Sequence, residues 1–238
     1  MVTAKHHIKS QLKPTVRVAR FHSALVGGYT LKAIAGRAEH VAVFFRLGDL
    51  NSACGIATLC IVFSVLSLVK ASALEAMPQR KYGLAAEIWR ALKHTYFTGM
   101  RAPELCAAVQ SLGMPLRLTM RHVDDSTDAV GHRAVADFAL ASLRRGRLVM
   151  IAYRCLRDRH QHWLLAVGVG GLETRRSVDW DTIFVLDSSI DLVKLATYNS
   201  TLTRVQRNDT PHPAWNLECS AGYVIPVTLL SAVRFDPT

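Results

Sequence analysis

Three residues of this 238-residue chain have the types and the order that acyl chemistry on a thiol needs: Cys54, His162 and Asp187. Cys54 stands in Asp49-Leu50-Asn51-Ser52-Ala53-Cys54-Gly55, a polar turn that meets small residues and then an apolar run from Ile56 to Val69. Asn51 or Ser52 is placed to cap a starting helix by accepting one of its unpaired amide hydrogens. A cysteine in the first turn of that helix meets free amides and the positive end of the helix dipole, and both favour a thiolate. His162 opens the apolar stretch His162-Trp163-Leu164-Leu165-Ala166-Val167-Gly168-Val169-Gly170, and Asp187 closes Ile183-Phe184-Val185-Leu186-Asp187. A histidine at the start of one strand and a carboxylate at the end of an antiparallel neighbour come close together. The imidazole can then take the Cys54 proton while the carboxylate fixes its tautomer.

Each of the three also has a plain structural reading: a buried core thiol, a histidine packed beside Trp163, and a strand-end carboxylate. His160 and His162 share a strand face and so form a possible metal pair, but no third ligand converges on them in the sequence, and no metal or cofactor is expected. The other cysteines (Cys60, Cys106, Cys155 and Cys219) form no C-x-x-C pair. An odd total of five fits a disulfide set poorly and points to a reducing, cytoplasmic setting.

The elements that must position these residues follow from periodicity. His40 to Arg46 alternates as a strand, and a central helix is expected from about Ala53 to about Ala76, ahead of Pro78. Leu84, Ile88 and Leu92 mark a second helix, and Ala102-Pro103-Glu104 opens a third that ends at Gly113. Leu116 to Met120 is a short strand, Arg121 to Arg133 a loop, and Ala134 to Arg145 a fourth helix closed by Gly146. Strands then follow over Leu148–Arg154, His162–Val169, Thr182–Leu186 and Gly222–Thr228. Helices first and strands later predict an α+β fold with an antiparallel sheet.

The turn into Ala53-Cys54-Gly55, the apolar helix after it, His162-Trp163 with its Gly-x-Gly exit, and Val185-Leu186-Asp187 together resemble the C39-like cysteine peptidases of the papain-like superfamily. The resemblance spans roughly residues 40–190 and places the tail after 190 only weakly. It implies a papain-like α+β fold, with an N-terminal helical part that carries the nucleophile at a helix N-terminus and packs on an antiparallel sheet. It further implies a domain over residues 39–238, a peptide or protein substrate, and a Cys-His-Asp triad in which Cys54 is nucleophile, His162 general base and Asp187 the orienting carboxylate. One position departs from the family. A glutamine six residues before the cysteine donates to the oxyanion hole there, and this chain has Gly48 instead. Asn51 is the candidate replacement donor. The competing expectation is a papain-fold binding module without catalysis.

Half the residues are hydrophobic, which provides for a sizeable core and excludes global disorder. The formal net charge is +11, and before Glu39 there is no acid at all, while Lys5, Lys9, Lys13, Arg17, Arg20, Lys32 and Arg37 are basic. Residues 1–38 therefore read as a basic extension suited to an acidic partner. No secretory signal is evident, and the apolar run after Ala53 is too short and too interrupted for a membrane span.

Overall fold

Leu148 to Glu173 decides the architecture, because two neighbouring strands there are apolar on both faces. Each must be covered twice. The computed structural model describes residues 16–35, 39–46, 51–124, 128–174, 177–205 and 214–238. In chain order the strands are β1 (Arg17–Phe21), β2 (Leu25–Val26), β3 (Lys32–Ala35) and β4 (Glu39–Ala42), and the helices α1 (Cys54–Val65), α2 (Ala71–Glu75), α3 (Leu84–Leu92), α4 (Thr95–Thr98) and α5 (Ala102–Ser111) follow. Then come β5 (Leu116–His122), α6 (Ala129–Arg144), β6 (Leu148–Cys155), β7 (Gln161–Glu173), β8 (Val178–Leu186), β9 (Ser200–Arg204), β10 (Trp215–Cys219) and β11 (Val224–Pro237).

Six of these strands close on themselves. They run β7-β6-β11-β10-β9-β8, every pairing antiparallel, and β8 returns to pair with β7 from Leu165↔Leu186 to Glu173↔Val178. Two strands attach outside the ring. β1 pairs with the far half of β7, and β5 pairs with β11. β2, β3 and β4 form a small separate sheet.

The papain-like α+β fold expected from the sequence is therefore corrected: the chain forms a closed six-stranded antiparallel barrel with two extra strands, 36% strand and 31% helix. The physical reason lies in β7. Its residues His162 to Gly171 are all buried, so an arrangement in which helices cover one face leaves the other unprotected. Closure supplies the second cover. Val149, Ile151, Leu164, Ala166, Ile183, Val185, Leu202, Trp215, Leu217 and Val227 meet inside the ring, joined by Val135, Ala139 and Leu143 of α6. The opposite faces of β6 and β7 (Met150, Leu165 and Val167 among them) pack against α1, and Val233 of β11 joins the same core. Eleven of the twelve residues of α1 are buried, which is why its sequence is apolar all round and not striped.

Other boundaries also shift. The expected single helix from Ala53 to Ala76 breaks after Val65, where Ser67 takes a left-handed φ of 58°, and resumes as α2. The strand expected over His40–Arg46 covers only Glu39–Ala42. The third and fourth helices are α5 and α6, and α6 starts five residues before the expected Ala134. Of the basic extension, residues 1–15 and 36–38 lie outside the described residues, while β1 within it pairs with the main sheet. Among the described residues no helix is long and apolar enough to cross a membrane.

Closure depends on Gly171. The β7–β8 register shifts between Gly170 and Gly171, and a Cβ on Gly171 would run into the Asp179 carbonyl across the seam. At Gly170 the nearest atoms are the Phe184 ring at 3.0 Å, a side chain that can move. Gly171→Ala is therefore expected to lower stability by about 1–3 kcal/mol, and Gly170→Ala by less. Thermal unfolding of the two variants checks this, and a Gly171→Ala variant as stable as the parent would contradict it.

Candidate active site

The site forms where α1 meets the β6 end of the barrel. A turn of 3-10 helix over Asn51–Ala53 leads into α1, and Cys54 is the first residue of the α-helix proper. The expected cap is corrected here. The N-cap is Ala53, and among the described side chains, Ser52 included, none caps the first turn. A buried, apolar helix start has no room for a solvated polar cap. Ser52 instead lines the neighbouring cleft. The side chain of Asn51, the expected oxyanion donor, lies outside the described residues, as does Gly48.

His162 is the second residue of β7 and pairs across the sheet with Tyr153 of β6. Its Nε2 lies 2.8 Å from Asp187 Oδ1, and the two side chains are 4% and 3% exposed. Asp187 follows directly on β8, so the β7–β8 pairing that closes the barrel also sets this bond. With Nε2 engaged, Nδ1 is the nitrogen left for the thiol. Cys54, itself buried, acts on the same imidazole and helps to hold it charged. Cys54, His162 and Asp187 thus lie together, although 108 and 25 residues of sequence separate the successive members.

Electrostatics tie the three together. Burial alone would push the His162 ring towards its neutral form. The hydrogen bond that the ring donates to Asp187 and the influence of Cys54 outweigh it, and the imidazolium persists to about 10. Burial likewise disfavours the charge on Asp187, but the His162 bond and the Ser189 donors hold the carboxyl below its ordinary range. Burial, with Asp187 nearby, raises Tyr153, whose ring centroid is 5.8 Å from that of His162. Tyr153 therefore stays neutral beside the pair.

Several supporting residues carried no sequence signal strong enough to single them out. Ser189 donates its backbone N–H (2.8 Å) and its hydroxyl (2.6 Å) to Asp187 Oδ1. Asn199, buried at the start of the β9 segment, accepts from the Asp187 backbone N–H at 2.7 Å and donates to the carbonyls of Asp187 and Ile190. Their signal was weak: a Ser-Ser pair after a strand, and one asparagine before another. Trp163 Nε1 donates to the Met100 carbonyl at 2.8 Å, and Thr58 of α1 bonds the Trp163 carbonyl at 3.3 Å. A Cβ on Gly55 would come within 2.9 Å of Met100 Cε and 3.4 Å of the Trp163 ring. The helix thus meets β7 most closely beside Cys54.

Cys54 and His162 open on a cleft of about 570 Å³ that is also lined by Ser52, Met100, Ala152, Arg154 and Gln161. A second polar chain runs along its far wall: His122 Nδ1 lies 2.6 Å from Ser231 Oγ, His122 Nε2 2.8 Å from Asp124 Oδ1, and Arg101 pairs with the same carboxylate at 3.0 Å. His160 stacks near His162 with ring centroids 6.0 Å apart, and among the described residues no three His, Cys, Asp or Glu are grouped to hold a metal ion. Of the other thiols, Cys60 is pushed up to about 12 by burial, and burial also raises Cys106 and Cys219.

No family model matches the chain, and no curated protein matches it. The likeness to C39-like peptidases therefore stands on the quoted residues alone, without the fold.

The raised His162 value fixes a pH dependence. A group whose folded value, about 10, exceeds its ordinary 6.5 stabilises the fold in full below about pH 6.5 and loses that contribution as pH rises to about 10. Urea unfolding of the parent and of His162→Gln is expected to show a stability difference that falls between those limits. A difference that stays level, or grows with alkalinity, would contradict the assignment.

Proposed function

We propose that this protein is a cysteine-dependent acyl hydrolase acting on a peptide or protein substrate. One observation carries the reading: a buried imidazole held by a buried carboxylate shares a cleft with a thiol at the head of α1, and that thiol contributes to keeping the ring charged. Side-chain geometry supports this reading, and fold plays no part in it, since the same chemistry recurs on unrelated frames. The peptide as substrate rests on the resemblance of the motifs.

In this reading the Cys54 proton already rests on His162 Nδ1, and the Cys54 thiolate attacks the substrate carbonyl carbon. The carbonyl π-electrons shift to oxygen and form a tetrahedral oxyanion. Its collapse breaks the bond to the leaving amine, which takes the proton from His162, and leaves a thioester on Cys54. Water then attacks the thioester and gives a proton to the same nitrogen. The C–S bond breaks, the acid departs, and Cys54 leaves as the thiolate facing the imidazolium, which restores the starting pair. Asp187 holds the ring in register throughout, and its anchoring by Ser189 and Asn199 keeps the ring from turning. Cys54 follows the 3-10 turn at the start of α1, so its backbone N–H belongs to the helix end, where amides and dipole suit a developing oxyanion.

The test is a p-nitrophenyl ester assay followed by intact-mass and peptide mapping. The parent should release nitrophenolate in a burst and carry the acyl group on Cys54. Cys54→Ala should lose the burst, and His162→Ala should lower the acylation rate by about 10²–10⁴. An acyl group on another residue, or turnover undiminished in Cys54→Ala, would overturn the reading.

A further inference from the structure

The cleft beside Cys54 carries an arginine that the chemistry above does not use. Arg154 lines it, half-buried near the end of β6, and among the described residues it has no hydrogen-bond, ion-pair or ring partner. The other charges of the cleft are committed. Asp124 is shared by Arg101 and His122, and Glu104 accepts the Arg101 backbone N–H at the start of α5. Among the described residues no acid pairs with Arg154. A guanidinium at the cleft wall with its donors uncommitted among the described residues can take an anion that enters the cleft.

Sheet register places this guanidinium relative to the thiol. On β6, Ala152 and Arg154 share a face, and both line the cleft. Ala152 stands opposite Trp163, whose ring packs on Gly55 next to Cys54, and Arg154 stands opposite Gln161, one rung further out. Two residues along a strand amount to about 7 Å. That is also about two residues of an extended peptide lying in the cleft. Gln161, exposed at the mouth, adds an amide donor on the same rung.

We propose that Arg154, with Gln161 beside it, binds the carboxylate of an acidic side chain within two residues of the bond that is cleaved. This inference rests on the assignment of Cys54 as the nucleophile and adds the substrate's charge. A planar guanidinium suits a carboxylate because it can donate two parallel hydrogen bonds. The overall charge of +11 attracts the same class of partner from a distance.

A matched pair of alkylating reagents tests it: an iodoacetanilide bearing a para-carboxylate and its neutral para-carboxamide twin, with Cys54 alkylation read by peptide mapping. In the full chain at low salt the carboxylate reagent should react about threefold or more faster. Arg154→Gln should bring the ratio to about one or below, Arg154→Lys should keep a preference for the anion, and added salt should shrink it. Unfolding midpoints for both variants separate a lost preference from a lost fold. A ratio that Arg154→Gln leaves unchanged, with Cys54 still reactive, would overturn the subsite and leave the nucleophile standing. Failure of both reagents to modify Cys54 would overturn both.

Discussion

The hydrogen bond between His162 and Asp187 is the constraint that the site depends on. Both side chains are nearly out of reach of water, so a charge on either is costly unless the other answers it. Together they keep an imidazolium at the head of α1, where the thiol sits. Asp187 is held in turn by the backbone and hydroxyl of Ser189, and its own backbone is held by Asn199. The donors around the carboxylate thus fix its rotamer, the carboxylate fixes the ring, and the ring faces Cys54. A histidine on a mobile side chain could make the same contact, but only for part of the time.

The barrel makes that geometry rigid. His162 and Asp187 sit at the ends of β7 and β8 that meet at one rim, and β8 pairs with β7 and β9 at once. The carboxylate therefore cannot slide along the strand without breaking the ring of pairings. On the other side of β7, α1 is tied by the Thr58–Trp163 hydrogen bond and the close approach at Gly55, while Trp163 is also held by the Met100 carbonyl. Thiol and imidazole come from different layers of the molecule, and Trp163, adjacent to His162, joins them.

Residue chemistry was legible in the sequence where it was local. Cys54 at a polar-to-apolar step, His162 at a strand start and Asp187 at a strand end were readable, because strand and helix ends announce themselves through polarity changes. The starts of β6 and β7 were also close to the expected positions. Closure of the sheet was not legible, since it depends on which distant strands pair. β9 and β10 are only five residues each, and although Trp215, Leu217 and Cys219 alternate with Asn216 and Glu218, so short a run in the weakly placed tail was not read as a strand. β11 runs to Pro237, but Ser231, Arg234 and Asp236 break its apolar pattern, and only its first half was expected. With β9, β10 and the second half of β11 unread, the natural inference was helices on a sheet. Ser189, Asn199 and Arg154 could not be found for a related reason: their roles come from partners brought near by the fold, not from neighbours in the chain.

The most direct measurement is an NMR titration of the His162 ring carbons and nitrogens in the parent and in Asp187→Asn. If the imidazole is held between thiol and carboxylate, it stays protonated through neutral pH, loses its proton near 10, and shifts towards ordinary histidine behaviour when the carboxylate is neutralised. A ring that titrates near its ordinary 6.5 in the parent, and does not respond to Asp187→Asn, would contradict the coupled unit on which the account rests.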